Sequence, residues 1–303
     1  MTDGEALYRA ILESPDDDAP RLVWADWLEE NGDAERAEFV RLQCRWATLE
    51  PGDPTRDEMC ERWMGLLESC RRQWTSRIGP PEDCGFWRGL PDWFDVLTDD
   101  CMERITHLRQ RVPAQCIKLR LGGFRKELSD WPGLDSLRDV WLCERVPDPF
   151  YPQTSARGWV WFIQSPGLRK LRAFRAVLDV SSAGVISAIS GTDWPNLREL
   201  TLSVSHSDPE HPAGAWSDLP DATWFRDLQS LDLRDCGLTD DVVHRLLARR
   251  GSLALTYLDL RGNALTDRGV RRLVQARVMP NLRHVRTSAK RARGRILETR
   301  ITE

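Results

Sequence analysis

Apolar positions recur in a fixed frame near the C-terminal end of the chain. Leu228, Leu231 and Leu233, then Leu255, Leu258 and Leu260, then Leu282, Val285 and Thr287 follow the pattern L-x-x-L-x-(L/T). Leu231, Leu258 and Val285 are equally spaced along the chain. Their constant step falls in the range of roughly 20 to 50 residues that marks a solenoid, in which each unit buries its apolar face only against its neighbours. Extended toward the N-terminus, the first slot is filled by Cys116, Leu137, Leu168, Leu197, Leu228, Leu255 and Leu282, and the second by Leu119, Val140, Leu171, Leu200, Leu231, Leu258 and Val285. The frame therefore predicts about seven parallel strands. Thr239 and Thr266 each precede a stripe of apolar residues at helical spacing, so each repeat should return through a capped helix. Residues 155–164 and 181–190 are the earlier returns, and 203–227 reads as a loop with a short turn near Trp224.

The stretch before Thr75 has a different period. Thr2 and Glu5 stand at capping-box spacing before Leu7, Ala10 and Ile11, which predicts a short helix ending by Ser14-Pro15. Asp16-Asp17-Asp18 and Pro20 announce a second, with Val23, Trp24, Trp27 and Leu28 on one face and Asn31-Gly32 as its stop. Phe39, Leu42, Trp46 and Leu49 form a single stripe on a third helix. A second capping box, Thr55 to Glu58, opens a fourth that carries Met59, Trp63, Leu66, Leu67, Cys70 and Trp74. From Cys84, the residues Phe86, Trp87, Leu90, Trp93, Phe94 and Val96 predict an extended capping segment. Asp99 then caps a helix bearing Met102, Ile105, Leu108 and Val112. The expected fold class is α/β, with a helical domain at 1–78, a capping strand and helix at 79–115, a leucine-rich solenoid with a parallel concave sheet at 116–288, and a basic, partly mobile tail at 289–303.

Composition changes this picture in two respects. The 303 residues are 41% apolar and 30% charged, with a net charge of −4. Residues 1–78 hold 10 arginines and 18 acidic residues, a net of −8, which leaves +4 on the remainder and supports two domains with different surfaces. No apolar run approaches the roughly 18 residues of a membrane span, and acidic Asp3 and Glu5 replace a signal peptide's basic region. The expected location is the cytoplasm, where the eight cysteines, none in a C-x-x-C pair, remain thiols.

Two stretches resemble known families. Arg234-Asp235-Cys236-Gly237-Leu238 and Arg261-Gly262-Asn263-Ala264-Leu265, each after its L-x-x-L-x-L, resemble leucine-rich repeats of the ribonuclease-inhibitor-like type. The run from Asp16 to Asp33, with its W-A-D-W-L-E-E core at 24–30, and the run Glu38-Phe39-Val40-Arg41-Leu42-Gln43 closely resemble the bacterial repeat-companion domain. That resemblance implies an N-terminal helical module beside leucine-rich repeats and assigns no chemistry.

Alternation along a strand sends the residues between the apolar slots to the concave face. The row before the second slot reads Lys118, Asp139, Lys170, Glu199, Ser230, Tyr257 and His284. The row after the second slot reads Arg120, Trp141, Arg172, Thr201, Asp232, Asp259 and Arg286. The row after the third reads Gly122, Cys143, Phe174, Ser203, Arg234, Arg261 and Ser288. Arginine and aromatic side chains combine large contact area with directional donors, so Lys118, Arg120, Trp141, Lys170, Arg172, Phe174, Tyr257, Arg261, His284 and Arg286 are the expected partner-binding residues. Asp139, Glu199, Asp232 and Asp259 are placed to neutralise the bases in cross-strand ladders.

There is no G-x-S-x-G, H-E-x-x-H or P-loop. His206, Asp208, Glu210 and His211 lie in a proline-bearing loop with no third histidine, and helix capping accounts for Asp16 to Asp18. No catalysis, cofactor or metal is therefore expected. The pattern reads as a scaffold or adaptor that binds a protein partner. The alternative is a nucleic-acid or polyanion binder using Lys118, Arg120, Lys170, Arg172 and the tail's Lys290, Arg291, Arg293 and Arg295. A third arrangement makes the helical domain the binding part and the repeats a spacer.

Overall fold

A computed structural model describes residues 2–49, 53, 55–76, 78, 84–120, 126–143, 156–178, 183–204, 216, 218–248, 253–274, 279–288 and 296–300. The loop with His206 and His211 and the basic positions 290–295 lie outside these residues. The chain divides into two compact units, Met1–Val96 with Asp100–Lys118, and Leu97–Asp99 with Leu119–Glu303.

The first unit begins with four helices. In α1 (Asp3–Glu13) the capping box forms as its spacing predicts: the Thr2 hydroxyl accepts the Glu5 N–H at 3.3 Å, and the Glu5 carboxylate accepts the Thr2 N–H at 2.9 Å. α2 (Ala19–Glu30) has Asp17 accepting the Ala19 N–H at 2.9 Å, and Gly32 past its end at φ 89°. α3 (Ala34–Thr48) is capped by Asp33. α4 (Thr55–Thr75) departs from expectation, because Thr55 is already helical and donates its N–H and hydroxyl to Asp53, at 2.9 and 2.6 Å.

α3 is the centre of this unit, since it faces two cores. Ala37, Val40 and Cys44 pack with Ile11, Trp24, Ala25 and Leu28, whereas Phe39 packs with Leu66 and Leu67, flanked by Leu42, Trp63 and Trp74. The single stripe read from the large residues captures only the second of these. On α2, Val23 is 51% exposed, and a fully buried Arg21 takes the place expected of it. Arg21 is tolerated because it donates to the Asp17 and Arg88 carbonyls, at 2.9 and 3.1 Å. The expected extended segment is the hairpin of β1 (Cys84–Trp87) and β2 (Leu90–Leu97), joined by Arg88 and Gly89 at φ 49° and 85°. α5 (Cys101–Leu108) follows, starting after Asp100 rather than Asp99, with Cys101, Ile105 and Leu108 buried.

β3 (Cys116–Arg120) spans the division between the units. It buries Ile117 and Leu119, so Cys116 does not fill the core slot the frame gave it. In the second unit β4 (Asp139–Cys143), β5 (Ala173–Leu178), β6 (Glu199–Val204), β7 (Ser230–Asp232), β8 (Tyr257–Leu260) and β9 (His284–Ser288) pair in sequence order, all parallel. Residues 296–300, expected in the mobile tail, form β10 (Ile296–Arg300), antiparallel to β9. The helices after β3 are α6 (Lys126–Ser129), α7 (Ala156–Ile163), α8 (Ala183–Ser190), α9 (Asp240–Ala248) and α10 (Asp267–Val274). Between β6 and β7 the described connection is two 3-10 turns, Leu219–Asp221 and Thr223–Asp227.

Register is set where each strand begins. The carbonyls of Arg138, Arg172, Arg198, Gln229 and Thr256 each accept two consecutive backbone N–H groups from the following repeat, at 2.7 to 3.1 Å. This ladder shows where the expected frame slips. Val140 pairs with Phe174, and Phe174 with Leu200, so the second slot of this repeat is Phe174 and not Leu171. Leu168 lies in the 3-10 turn Pro166–Lys170, and Leu171 fills the first slot. A 3-10 helix repeats every third position, so Leu168, Leu171 and Phe174 recur on one side and two frames fit the same letters. Phe174 is fully buried, 4.9 Å from Trp194, which lies 6.3 Å from Trp224; the three rings belong to the core.

Candidate functional site

On β4, β6 and β9, buried residues alternate with exposed or partly exposed ones, and register extends these positions into rows across the sheet, although Ala173, Asp232 and Asp259 in them are buried. One row is Asp139, Ala173, Glu199, Ser230, Tyr257 and His284; the next is Trp141, Arg175, Thr201, Asp232, Asp259 and Arg286. Trp141, Tyr257, His284 and Arg286 therefore project from the face expected of them. Arg261 follows β8 and sits beside them. Lys118 belongs to the first unit, where it pairs with Asp95 at 3.3 Å and lies 5.9 Å from the Trp93 ring. Arg120 ends β3, half-buried.

Three expected residues are elsewhere. Phe174 is in the core. Lys170 is in a 3-10 turn, paired with Asp135 of the preceding 3-10 turn (Pro132–Ser136) at 3.4 Å. Arg172 is exposed and precedes β5, where its backbone serves the carbonyl ladder. The residue missed was Arg175, which occupies the position opposite Trp141. Pro132-Gly133-Leu134 and Pro166-Gly167-Leu168 carry the signal that reveals it, since aligning them places Leu171 with Leu137 and Arg175 with Trp141.

Arg175 reaches both neighbouring strands. One guanidinium nitrogen bonds Asp139 on β4, and another lies 3.2 Å from Glu199 on β6. Asp139 needs this partner, because burial pushes its carboxyl up while Arg175 pulls it down, and its second oxygen is buried without a hydrogen bond. Replacing Arg175 by Met should destabilise the repeats by about 2 kcal/mol, discounted for the partial exposure of the pair. Adding Asp139→Asn should recover most of that loss, as read from urea unfolding of the two single variants and the double. Additive losses would show that the two side chains are not coupled.

β7 and β8 each carry an Asp-x-Arg unit. Asp232 accepts both the Arg234 backbone N–H, at 3.1 Å, and its guanidinium, at 2.9 Å. Asp259 does the same with Arg261, at 3.1 and 2.6 Å, and accepts the Tyr257 hydroxyl at 3.3 Å. The aspartates are register partners, so like charges face each other; Arg234 lies between them, 3.8 Å from Asp259. Burial raises the Asp232 carboxyl, as does Asp259, while Arg234 lowers it. The closest pairing here runs along each strand, two positions apart, and Arg234 adds a cross-strand pair to Asp259; on β4 to β6 the expected cross-strand ladder is made by Arg175 with Asp139 and Glu199.

The arrangement places the rings of Trp141 and Tyr257 on one sheet with charged groups held in place by their neighbours. Among the described residues no group of three or more metal-ligating side chains is found, and no helix is long and apolar enough to cross a membrane. The profile of the Leucine Rich repeat family matches residues 226–241 and 253–274, the part that carries β7, β8 and α10. A search of curated proteins finds no match to the chain.

Proposed function

We propose that this protein is a non-catalytic scaffold or adaptor that binds a protein partner through the outward, concave face of its repeat strands. The observation that carries the reading is the row that holds Trp141, Arg175 and Arg286, in which an aromatic ring and two bases stand partly exposed on one sheet, Arg175 held by Asp139 and Glu199. Preorganised side chains lose little conformational freedom on binding, which is what a contact surface of modest area needs. The helical run at 1–78 serves as a repeat-companion module, 79–115 as the cap, and 116–288 as ribonuclease-inhibitor-like repeats, in a bacterial cytoplasmic protein. The pairing of Lys118 with Asp95, of Lys170 with Asp135, and of Arg175 with Asp139 and Glu199 makes a polyanion the weaker candidate ligand.

The test is affinity capture from the native host, with the Trp141→Ala plus Arg286→Glu variant beside the unaltered chain. A partner engaged at this face should fall in recovery by about tenfold or more, the effect of losing a hot-spot residue. Matching thermal unfolding midpoints must accompany the comparison. An unchanged set of captured proteins would remove this face from the account.

A further inference from the structure

The first unit contains a groove of about 1090 Å³, bounded by α1, α2, the end of α4 and residues 110–112. Tyr8, Trp24, Trp27 and Trp74 give it aromatic walls, and Arg36 forms part of the lining at 5% exposure. The Arg36 guanidinium carbon lies 4.3 Å from the centre of the Trp74 ring, 5.2 Å from Phe86, 5.6 Å from Phe39 and 5.9 Å from Trp24. Rings stabilise the cation through their faces but give its N–H groups no oxygen acceptor. Nη1 is buried and has no hydrogen-bond partner among the described residues. The two carboxylates of the lining are engaged elsewhere: Asp33 accepts the Arg36 backbone N–H at 3.2 Å, and Glu5 accepts the Thr2 N–H at 2.9 Å. The Tyr8 hydroxyl donates to the Arg111 carbonyl at 2.9 Å.

A buried cation with unanswered donors is unfavourable, and an anion brought against it relieves that cost. Burial pushes Arg36 down to about 10, so it remains charged at neutral pH. Arg9 and Arg111 also line the groove, which gives it a local excess of positive charge over its two acids. The surrounding sequence is the reverse, at −8 over residues 1–78. A ligand with several negative charges is repelled on approach, whereas one with a single carboxylate next to apolar surface matches both features.

We propose that this groove binds the C-terminal residue of a peptide that ends in an apolar side chain, its carboxylate facing Arg36 and its side chain lying against Tyr8, Trp27 and Trp74. The site belongs to the helical unit, and its failure leaves the reading of the repeat face untouched.

The intact chain is titrated calorimetrically with acetyl-Phe-Phe as the free acid, with the same dipeptide as its C-terminal amide, and with acetyl-Glu-Phe-amide, whose carboxylate is on a side chain. The free acid should bind about 10- to 100-fold more tightly than either amide, the range of a charged hydrogen bond removed from a desolvated site. Quenching of tryptophan fluorescence should track the heat, and Arg36→Met should abolish the difference between acid and amide. Equal binding of acid and amide, or none by either, overturns the proposal. Binding of acetyl-Glu-Phe-amide as tight as the free acid overturns the assignment to a chain terminus. The comparison of ligands on the unaltered protein stands whether or not the Arg36 variant folds.

Discussion

Asn263→Ala should cost the repeats about 3 to 5 kcal/mol, seen as a lowered urea midpoint or melting temperature, because one buried side chain closes four backbone bonds. Its carbonyl accepts the Cys236 and Leu238 N–H groups, both at 3.0 Å. Its amide donates to the carbonyls of Leu233 and Leu260, at 2.7 and 2.9 Å. The asparagine thus joins β8 to the turn of the repeat before it, and alanine leaves two donors and two acceptors unpaired where water does not reach. A loss under about 1 kcal/mol would mean that the turns close without it. Cys236 occupies the corresponding position one repeat earlier and makes the smaller version of the contact, its thiol 3.2 Å from the Leu202 carbonyl. A thiol has one weak donor and no amide acceptor, so the same slot holds its turn less firmly there.

Gly89→Ala should destabilise the first unit by about 2 to 4 kcal/mol, combining the strain of a left-handed residue with overpacking. Gly89 has φ 85°, and a Cβ there would lie 2.7 Å from the Val40 Cα, within the backbone of α3. The glycine also donates its N–H to the buried Gln43 side chain at 2.8 Å, so the turn cannot move away without losing that bond. Gly65→Ala is the matched comparison. It lies on α4 with nothing near the added atom, and helix propensity makes that change neutral or stabilising by about 0.5 to 1 kcal/mol. Equal melting temperatures for the two variants would remove the close approach of hairpin and helix as a source of stability.

Most of the architecture was legible because it rests on periodicity. The equal spacing of Leu231, Leu258 and Val285 places β7, β8 and β9, and the Thr2 to Glu5 capping box forms where its spacing puts it. What failed was phase. In 168–174 every third position is apolar, Leu168, Leu171 and Phe174, from the 3-10 turn into the strand, and hydrophobicity alone does not say where the turn ends and the strand begins. That ambiguity moved Phe174 from the core to the surface and hid Arg175. The second core of α3 was missed for a related reason: Ala37, Val40 and Cys44 are small, and a stripe read from large residues passes over them. The Arg36 groove left no sequence signal, since its residues come from α1, α2, α3, the end of α4 and the stretch after α5, and an arginine inside a helix reads as solvated until its neighbours are known.

The paired N–H groups bonded to each strand-entry carbonyl separate two properties that repeats usually share. From Val140 through Phe174, Leu200, Leu231 and Leu258 to Val285 the spacing is uneven, longest before Phe174 and shortest after it, yet each strand enters at the same level as the last. Length is absorbed in the connections, where closing a longer loop adds little entropy, only about 0.6 kcal/mol for each doubling. The connecting segments can therefore be lengthened or exchanged while Trp141, Arg175 and Arg286 keep their spacing, which makes the connections, rather than the strand face, the place to attach a tag, a fluorophore or a second domain.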